Sequence, residues 1–250
     1  MSFFKKKEKS TDQNVVVEKP IPVDIKETDF LEIFQFCKEH TMTSVERMYA
    51  LYNGVKYVLA NNIQGDFLEC GVWKGGSAML IAKLLALYNI KDRKIILYDT
   101  FEGMSEPTEF DKDYSGKNAK SLLQESSIED QASVWCYSSF DEVKNNMLST
   151  GLDSSQIVMI KGKVENTIPS EVPTNKIALL RLDTDWYEST AHELLHLYPL
   201  LNVPGVLIID DYGHWEGCRR AVDEYFAKNN IRLLLNRIDE TGRFGIKLFV

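Results

Sequence analysis

The stretch that most constrains this chain runs from Lys176 to Tyr187, K-I-A-L-L-R-L-D-T-D-W-Y. Five apolar residues lead into two carboxylates, Asp183 and Asp185, and such a run predicts a buried central strand whose tip delivers acid to a cleft. In an extended chain, residues two apart project to the same side, so both acids are expected to face one pocket. A second strand repeats the design: Gly205 to Asp211, G-V-L-I-I-D-D, also climbs through hydrocarbon and stops on acid. Four carboxylates at two strand ends repel one another unless one is protonated, pairs with a base, or shares a cation. A cation is the leading expectation, against ordinary turn and helix-cap roles for the aspartates.

The rest of the chain extends the pattern. Strands are expected at Phe67–Cys70, Lys94–Tyr98 and Ile157–Ile160, with helices following to Tyr88, near 119–126, near 139–150, from Glu188 to Leu200 and from Glu216 to Lys228. Arg232–Arg237 and Phe244–Val250, joined at Thr241-Gly242, predict a closing hairpin. Strand alternating with helix gives an α/β fold: a doubly wound, Rossmann-like, mostly parallel seven-stranded sheet with an antiparallel last strand. Residues 1–24 lack periodicity and read as a flexible arm. Residues 25–62 read as a helical extension, with Leu31, Phe34 and Cys37 on one face. In the next helix, capped by Ser44, the stripe is Val45, Met48, Leu51, Tyr52, Val55 and Leu59. Residues 63–250 form the main domain.

Bulk properties narrow the function. With 44% apolar residues over 250 positions, one α/β core with an appendage is expected. A net charge of -8 disfavours a nucleic-acid binder, whose phosphate contacts need a basic face. Four scattered cysteines, no signal peptide and no membrane-length apolar run predict a cytoplasmic protein with reduced thiols. His192-Glu193-Leu194-Leu195-His196 matches a zinc-protease pattern, but the connecting helix already accounts for it. The polar segment Ser105–Lys120 is a candidate lid over the acceptor.

Gly71, Gly75 and Gly76 sit between a strand and a helix, where small residues let backbone N–H groups approach a ligand. Their G-x-x-x-G-G spacing is not that of dinucleotide enzymes. Asp99 ends the following strand 28 residues after Gly71, where an acid can accept both hydroxyls of a ribose.

These residues resemble the macrocin O-methyltransferase family of S-adenosylmethionine-dependent enzymes, which methylate sugar hydroxyls. The resemblance covers roughly Thr41 to Phe226. It rests on T-M-T-S-V-E-R at 41–47, G-D-F-L-E-C-G-V-W-K-G-G at 65–76, Y-D-T-F-E-G-M at 98–104, L-R-L-D-T-D-W-Y-E-S-T at 180–190 and I-I-D-D-Y at 208–212. It implies that S-adenosylmethionine is held by Glu69, Gly71, Val72, Trp73, Gly75, Gly76, Ser77, Asp99, Thr100, Phe101 and Gly103, with Thr41 and Met42 on a closing segment. It implies that Asp183, Asp210 and Asp211 bind magnesium and that Asp185 is the general base. Ser139 is expected as a further cofactor contact, and His214 as a substrate contact or auxiliary base. Lys74 departs from a common arginine and Trp186 from a smaller apolar residue, the latter bearing on the acceptor pocket.

The chemistry supports these roles independently. A sugar hydroxyl is about as weak an acid as water, with a pKa of about 15.7, so a free aspartate near about 3.9 is a poor base unless a divalent cation assists. Oxygen ligands suit magnesium. Adjacent Asp210 and Asp211 can share one ion only if the chain has left strand geometry. The expected partner is a saccharide or small-molecule acceptor, with a homo-oligomer possible. The alternatives are a nicotinamide-dependent oxidoreductase on a similar sheet and a non-catalytic ligand-binding module.

Overall fold

The computed structural model describes residues 20–130 and 133–248. Most of the arm expected over residues 1–24, and the tail of the closing strand at 249–250, therefore lie outside the described residues.

Seven strands form one sheet in the order β3-β2-β1-β4-β5-β7-β6. They are β1 (Asp66–Cys70), β2 (Ile95–Asp99), β3 (Ile157–Lys161), β4 (Ile177–Leu182), β5 (Leu201–Ile209), β6 (Asn236–Arg237) and β7 (Arg243–Ile246). β1 to β5 are parallel, and β7 runs antiparallel to both β5 and β6. This is the expected architecture. Residues of β4 pack on both faces, Ala178 and Leu179 in one core and Ile177, Leu180 and Leu182 in the other. A parallel strand covered on both sides reads as an unbroken apolar run for this reason.

One face carries α1 (Thr28–Cys37), α2 (Val45–Ala60), α3 (Gly76–Leu87) and α5 (Phe140–Ser149). The other carries α4 (Ala119–Glu125), the single turn α6 (Val164–Thr167), α7 (Tyr187–Leu197) and α8 (Glu216–Lys228). The α2 cap is as expected, since the Ser44 hydroxyl accepts from the Arg47 amide at 3.1 Å.

Several boundaries move for local reasons. β5 begins at Leu201, four residues before the expected start, because Pro204 and Gly205 look like a turn in sequence yet lie within the strand. α7 stops at Leu197 and a 3₁₀ turn follows, since Pro199 cannot continue the ladder. Residues 232–235 stay outside the sheet, leaving β6 two residues long. In α1 the buried face is Phe30, Ile33 and Cys37, with Leu31 and Phe34 only partly covered. In α2, Val58 is buried where Leu59 was expected. α6 is too short to leave a periodic trace in the sequence.

Strand order reverses between β1 and β4, and in open α/β sheets the crevice beyond the strand ends at such a point is where ligands bind. No helix among the described residues is long and apolar enough to cross a membrane.

Candidate active site

A cleft of about 320 Å³ opens beyond the carboxyl ends of β1, β2, β4 and β5. Its first wall is the turn after β1. Gly71 there has φ +80°, and a Cβ on it would lie 2.0 Å from the carbonyl oxygen of Asp183. Only glycine permits both that conformation and that approach. A Cβ on Gly76 would lie 2.5 Å from the His40 carbonyl, so the segment carrying Thr41 and Met42 sits directly on the start of α3. Asp99, at the tip of β2, accepts from the Val72 amide at 2.7 Å and the Phe101 amide at 2.6 Å. Its carboxylate thus ties the glycine turn to the next loop while lining the cleft.

The second wall is acidic. β4 ends at Leu182 and β5 at Ile209, so all four aspartates lie just beyond strand geometry. Asp183 and Asp185 reach one cleft through a turn in which Asp185 has φ +66°, not through the same-side alternation expected from an extended chain. The departure required of Asp210 and Asp211 is likewise present. One carboxylate oxygen each from Asp183, Asp210 and Asp211 lie within 4.8 Å of one another.

Two arginines meet this cluster, Arg181 buried and Arg47 half-buried. Arg181, in β4, contacts Glu69 and lies 2.7 Å from Asp183 Oδ2 and 2.7 Å from Asp210 Oδ1. The Asp210 contact is an ion pair without hydrogen-bond alignment. Arg47, from α2, pairs with Asp210 Oδ2 and lies 3.0 Å from Asp239 Oδ2. Charge is still in excess. Burial pushes Asp183 well up despite Arg181, and burial reinforced by Asp183 pushes Asp185 up to about 7. Burial, with Asp185 and Asp210 adding to it, raises Asp211 well above the usual range. Asp211 Oδ2 is buried without a hydrogen-bond donor. Clustered carboxylate oxygens, one of them orphaned, are a donor set that fits a hard divalent cation.

His214 borders the cluster, its ring edge-on to Tyr114 and Trp215 at 5.4 and 4.8 Å. Burial lowers its pKa, favouring the neutral imidazole. Trp215 lines the cleft with Asp185, and its ring packs edge-on to Trp186 at 4.9 Å.

Of the residues expected in the site, Thr41, Met42, Gly71, Val72, Trp73, Gly76, Ser77, Asp99, Thr100 and Gly103 line the cleft with the four acids and His214. Glu69, Gly75, Phe101 and Ser139 stand behind its wall. Glu69 is 1% exposed against Arg181, and burial pushes its carboxyl up to about 7 in spite of that arginine. Gly75 makes the left-handed turn into α3, Phe101 packs edge-on to Phe140, and Ser139 caps α5 by accepting from the Glu142 amide. Arg47, Arg181, Cys136, Thr184 and Trp215 also line the cleft and were missed. An arginine inside the β4 apolar run was the available signal.

The zinc-protease pattern is otherwise engaged. His192 Nε2 meets the Ile168 carbonyl at 2.8 Å, and Glu193 points inward to Thr184. Trp186 is buried, giving its indole N–H to the Ser105 carbonyl at 3.0 Å, so it supports the acceptor side from behind. Lys74 lies over the Trp73 ring, 4.9 Å from its centre.

Similarity to known proteins follows the same lines. The family model described as Macrocin-O-methyltransferase (TylF) matches residues 13–247. The chain is 34% identical over 203 residues to demethyldecarbamoylnovobiocin O-methyltransferase of Streptomyces niveus, covering 81% of this chain and 74% of that one. It is 34% identical over 205 residues to the 8-demethyl-8-(2,3-dimethoxy-alpha-L-rhamnosyl)-tetracenomycin-C 4'-O-methyltransferase of Streptomyces olivaceus, covering 82% and 74%. The solved O-methyltransferase NovP superposes with a TM-score of 0.74 at 33% identity, over 84% of this chain and 83% of that one.

Proposed function

The chain belongs to the macrocin O-methyltransferase family, and from that membership we propose that it transfers the methyl group of S-adenosylmethionine to a sugar hydroxyl, assisted by magnesium. One observation carries the reading: a glycine turn tied to Asp99 and a cluster of four aspartates, two of them buried, face the same cleft. A relative whose name includes a rhamnosyl group supports the sugar. Four free cysteines and the acidic balance are in keeping with a cytoplasmic setting.

S-adenosylmethionine, when bound, supplies an electrophilic methyl group on a positively charged sulfur. The amides of the Gly71–Gly76 turn and the Thr41–Met42 segment bind it and exclude water. Asp99 braces the turn and offers its carboxylate to ribose hydroxyls. Magnesium, which Asp183, Asp210 and Asp211 would hold, supplies positive charge that makes an acceptor hydroxyl more acidic. Asp185 takes the hydroxyl proton on its carboxylate, and burial raises its proton affinity to suit that task. Trp215 and His214, which line the same cleft, contact the acceptor.

Calorimetric titration with S-adenosylhomocysteine and with manganese, as a magnesium surrogate, tests both halves. Micromolar donor-site binding that Asp99→Ala weakens, and metal binding that Asp211→Asn weakens, are expected. Equal binding by the variants overturns the assignments.

A further inference from the structure

Asp210 is claimed twice. Oδ1 lies 2.7 Å from Arg181 Nη2, and Oδ2 pairs with Arg47 Nη1. A carboxylate so occupied is a poor partner for an incoming cation until one guanidinium withdraws. The two arginines differ in their freedom to do so. Arg181 has 3% side-chain exposure and also serves Glu69 and Asp183, so its departure would strand buried charge. Arg47 has 15% side-chain exposure, lines the cleft and already touches a second acid, Asp239, at 3.0 Å. Asp239 is itself fixed in the β6–β7 turn. Its Oδ1 accepts from the Gly242 and Thr241 amides at 2.7 and 2.9 Å, and its Oδ2 accepts from the Ser44 hydroxyl at 2.6 Å. Asp239, between β6 and β7, is thus a prepared berth for the guanidinium.

Resting on the metal reading above, we infer that Arg47 is a displaceable counter-charge: it covers Asp210 while the cation is away and moves wholly onto Asp239 when the cation enters. Arg47 and Asp239 are then positioning residues that set metal affinity without being ligands. Removing Arg47 frees Asp210, while removing the Asp239 charge pins Arg47 in place. The two substitutions have opposite signs, and the second matters only while Arg47 is present.

The test is a double-mutant cycle on the full chain, titrating manganese by calorimetry with S-adenosylhomocysteine bound. Arg47→Met is expected to tighten manganese about tenfold, as loss of a nearby like charge should. Asp239→Asn is expected to weaken it by a similar factor, and the double variant to match Arg47→Met. Arg47→Lys, which keeps the charge, is expected to behave like the unchanged protein. S-adenosylhomocysteine affinity and the thermal melt verify folding. If Arg47→Met binds manganese more weakly, or Asp239→Asn weakens it equally in both backgrounds, the inference is overturned while the metal reading stands. If the unchanged protein does not bind manganese, both fall.

Discussion

The Thr184 hydroxyl donates to a Glu193 carboxyl oxygen across 2.9 Å, fastening the turn between Asp183 and Asp185 to the helix behind it. Glu193 is fully buried, and burial drives its pKa well above the usual range. Thr184→Val removes the donor and leaves a buried polar group short of a partner. A loss of about 1–3 kcal/mol in urea unfolding is expected, with Glu193→Gln milder.

Asp185→Asn keeps size and removes the proposed base. Methyl transfer to the acceptor, followed with labelled donor, is expected to fall about 10²–10⁴-fold. S-adenosylhomocysteine affinity should stay within about twofold, because Asp185 does not touch the glycine turn.

Gly71→Ala drives a Cβ into the Asp183 carbonyl at a backbone angle that alanine resists. The nearest relief is to push the turn away from β4, which separates the donor wall from the acid wall. A stability loss above about 1 kcal/mol and donor binding weakened about tenfold or more are expected by calorimetry.

Asp239 gives a pH signature. Burial pushes its carboxyl up, but the Ser44 hydroxyl, the Gly242 amide and the Arg47 charge outweigh burial and hold it at about 2. Its folded value lies below the ordinary 3.8, so its stabilisation is complete above that pH and is lost as pH falls towards 2. Denaturant unfolding across pH 2 to 5 should show a steeper acid loss in the unchanged protein than in Asp239→Asn.

Asp111 is fully buried and holds the 105–120 segment to the body. One oxygen accepts from Thr108, and the other from the Tyr187 amide at 2.8 Å, capping α7 from a distant part of the chain. Asp111→Ala should cost about 1–2 kcal/mol through the lost cap. Acceptor KM should rise while S-adenosylhomocysteine affinity holds, which steady-state kinetics and calorimetry separate.

The sequence carried most of this architecture because its strands obey simple rules. β4 and β5 are long apolar runs ending on acid, and the glycines after β1 mark a turn that no other residue can make. Less legible was anything set by distant pairing. Arg47 looks like a surface residue of an amphipathic helix, and Arg181 like an interruption in a strand. Each is drawn inward by acids from distant parts of the chain. Glu69, Gly75 and Phe101 sit inside motif stretches, and motif membership alone does not say which side of a wall a residue occupies. Asp185 reached its expected cleft by an unexpected route, since its left-handed turn cannot be read from alternation.

The Ser44 to Asp239 hydrogen bond joins residues 195 positions apart. During synthesis, therefore, a nascent chain can finish its parallel strands and glycine turn long before Arg47 meets its second acid. The ribosome must release the closing hairpin before the centre has its full complement of charge. An early-emerging fragment would lack the brace that Asp239 gives the segment leading into α2.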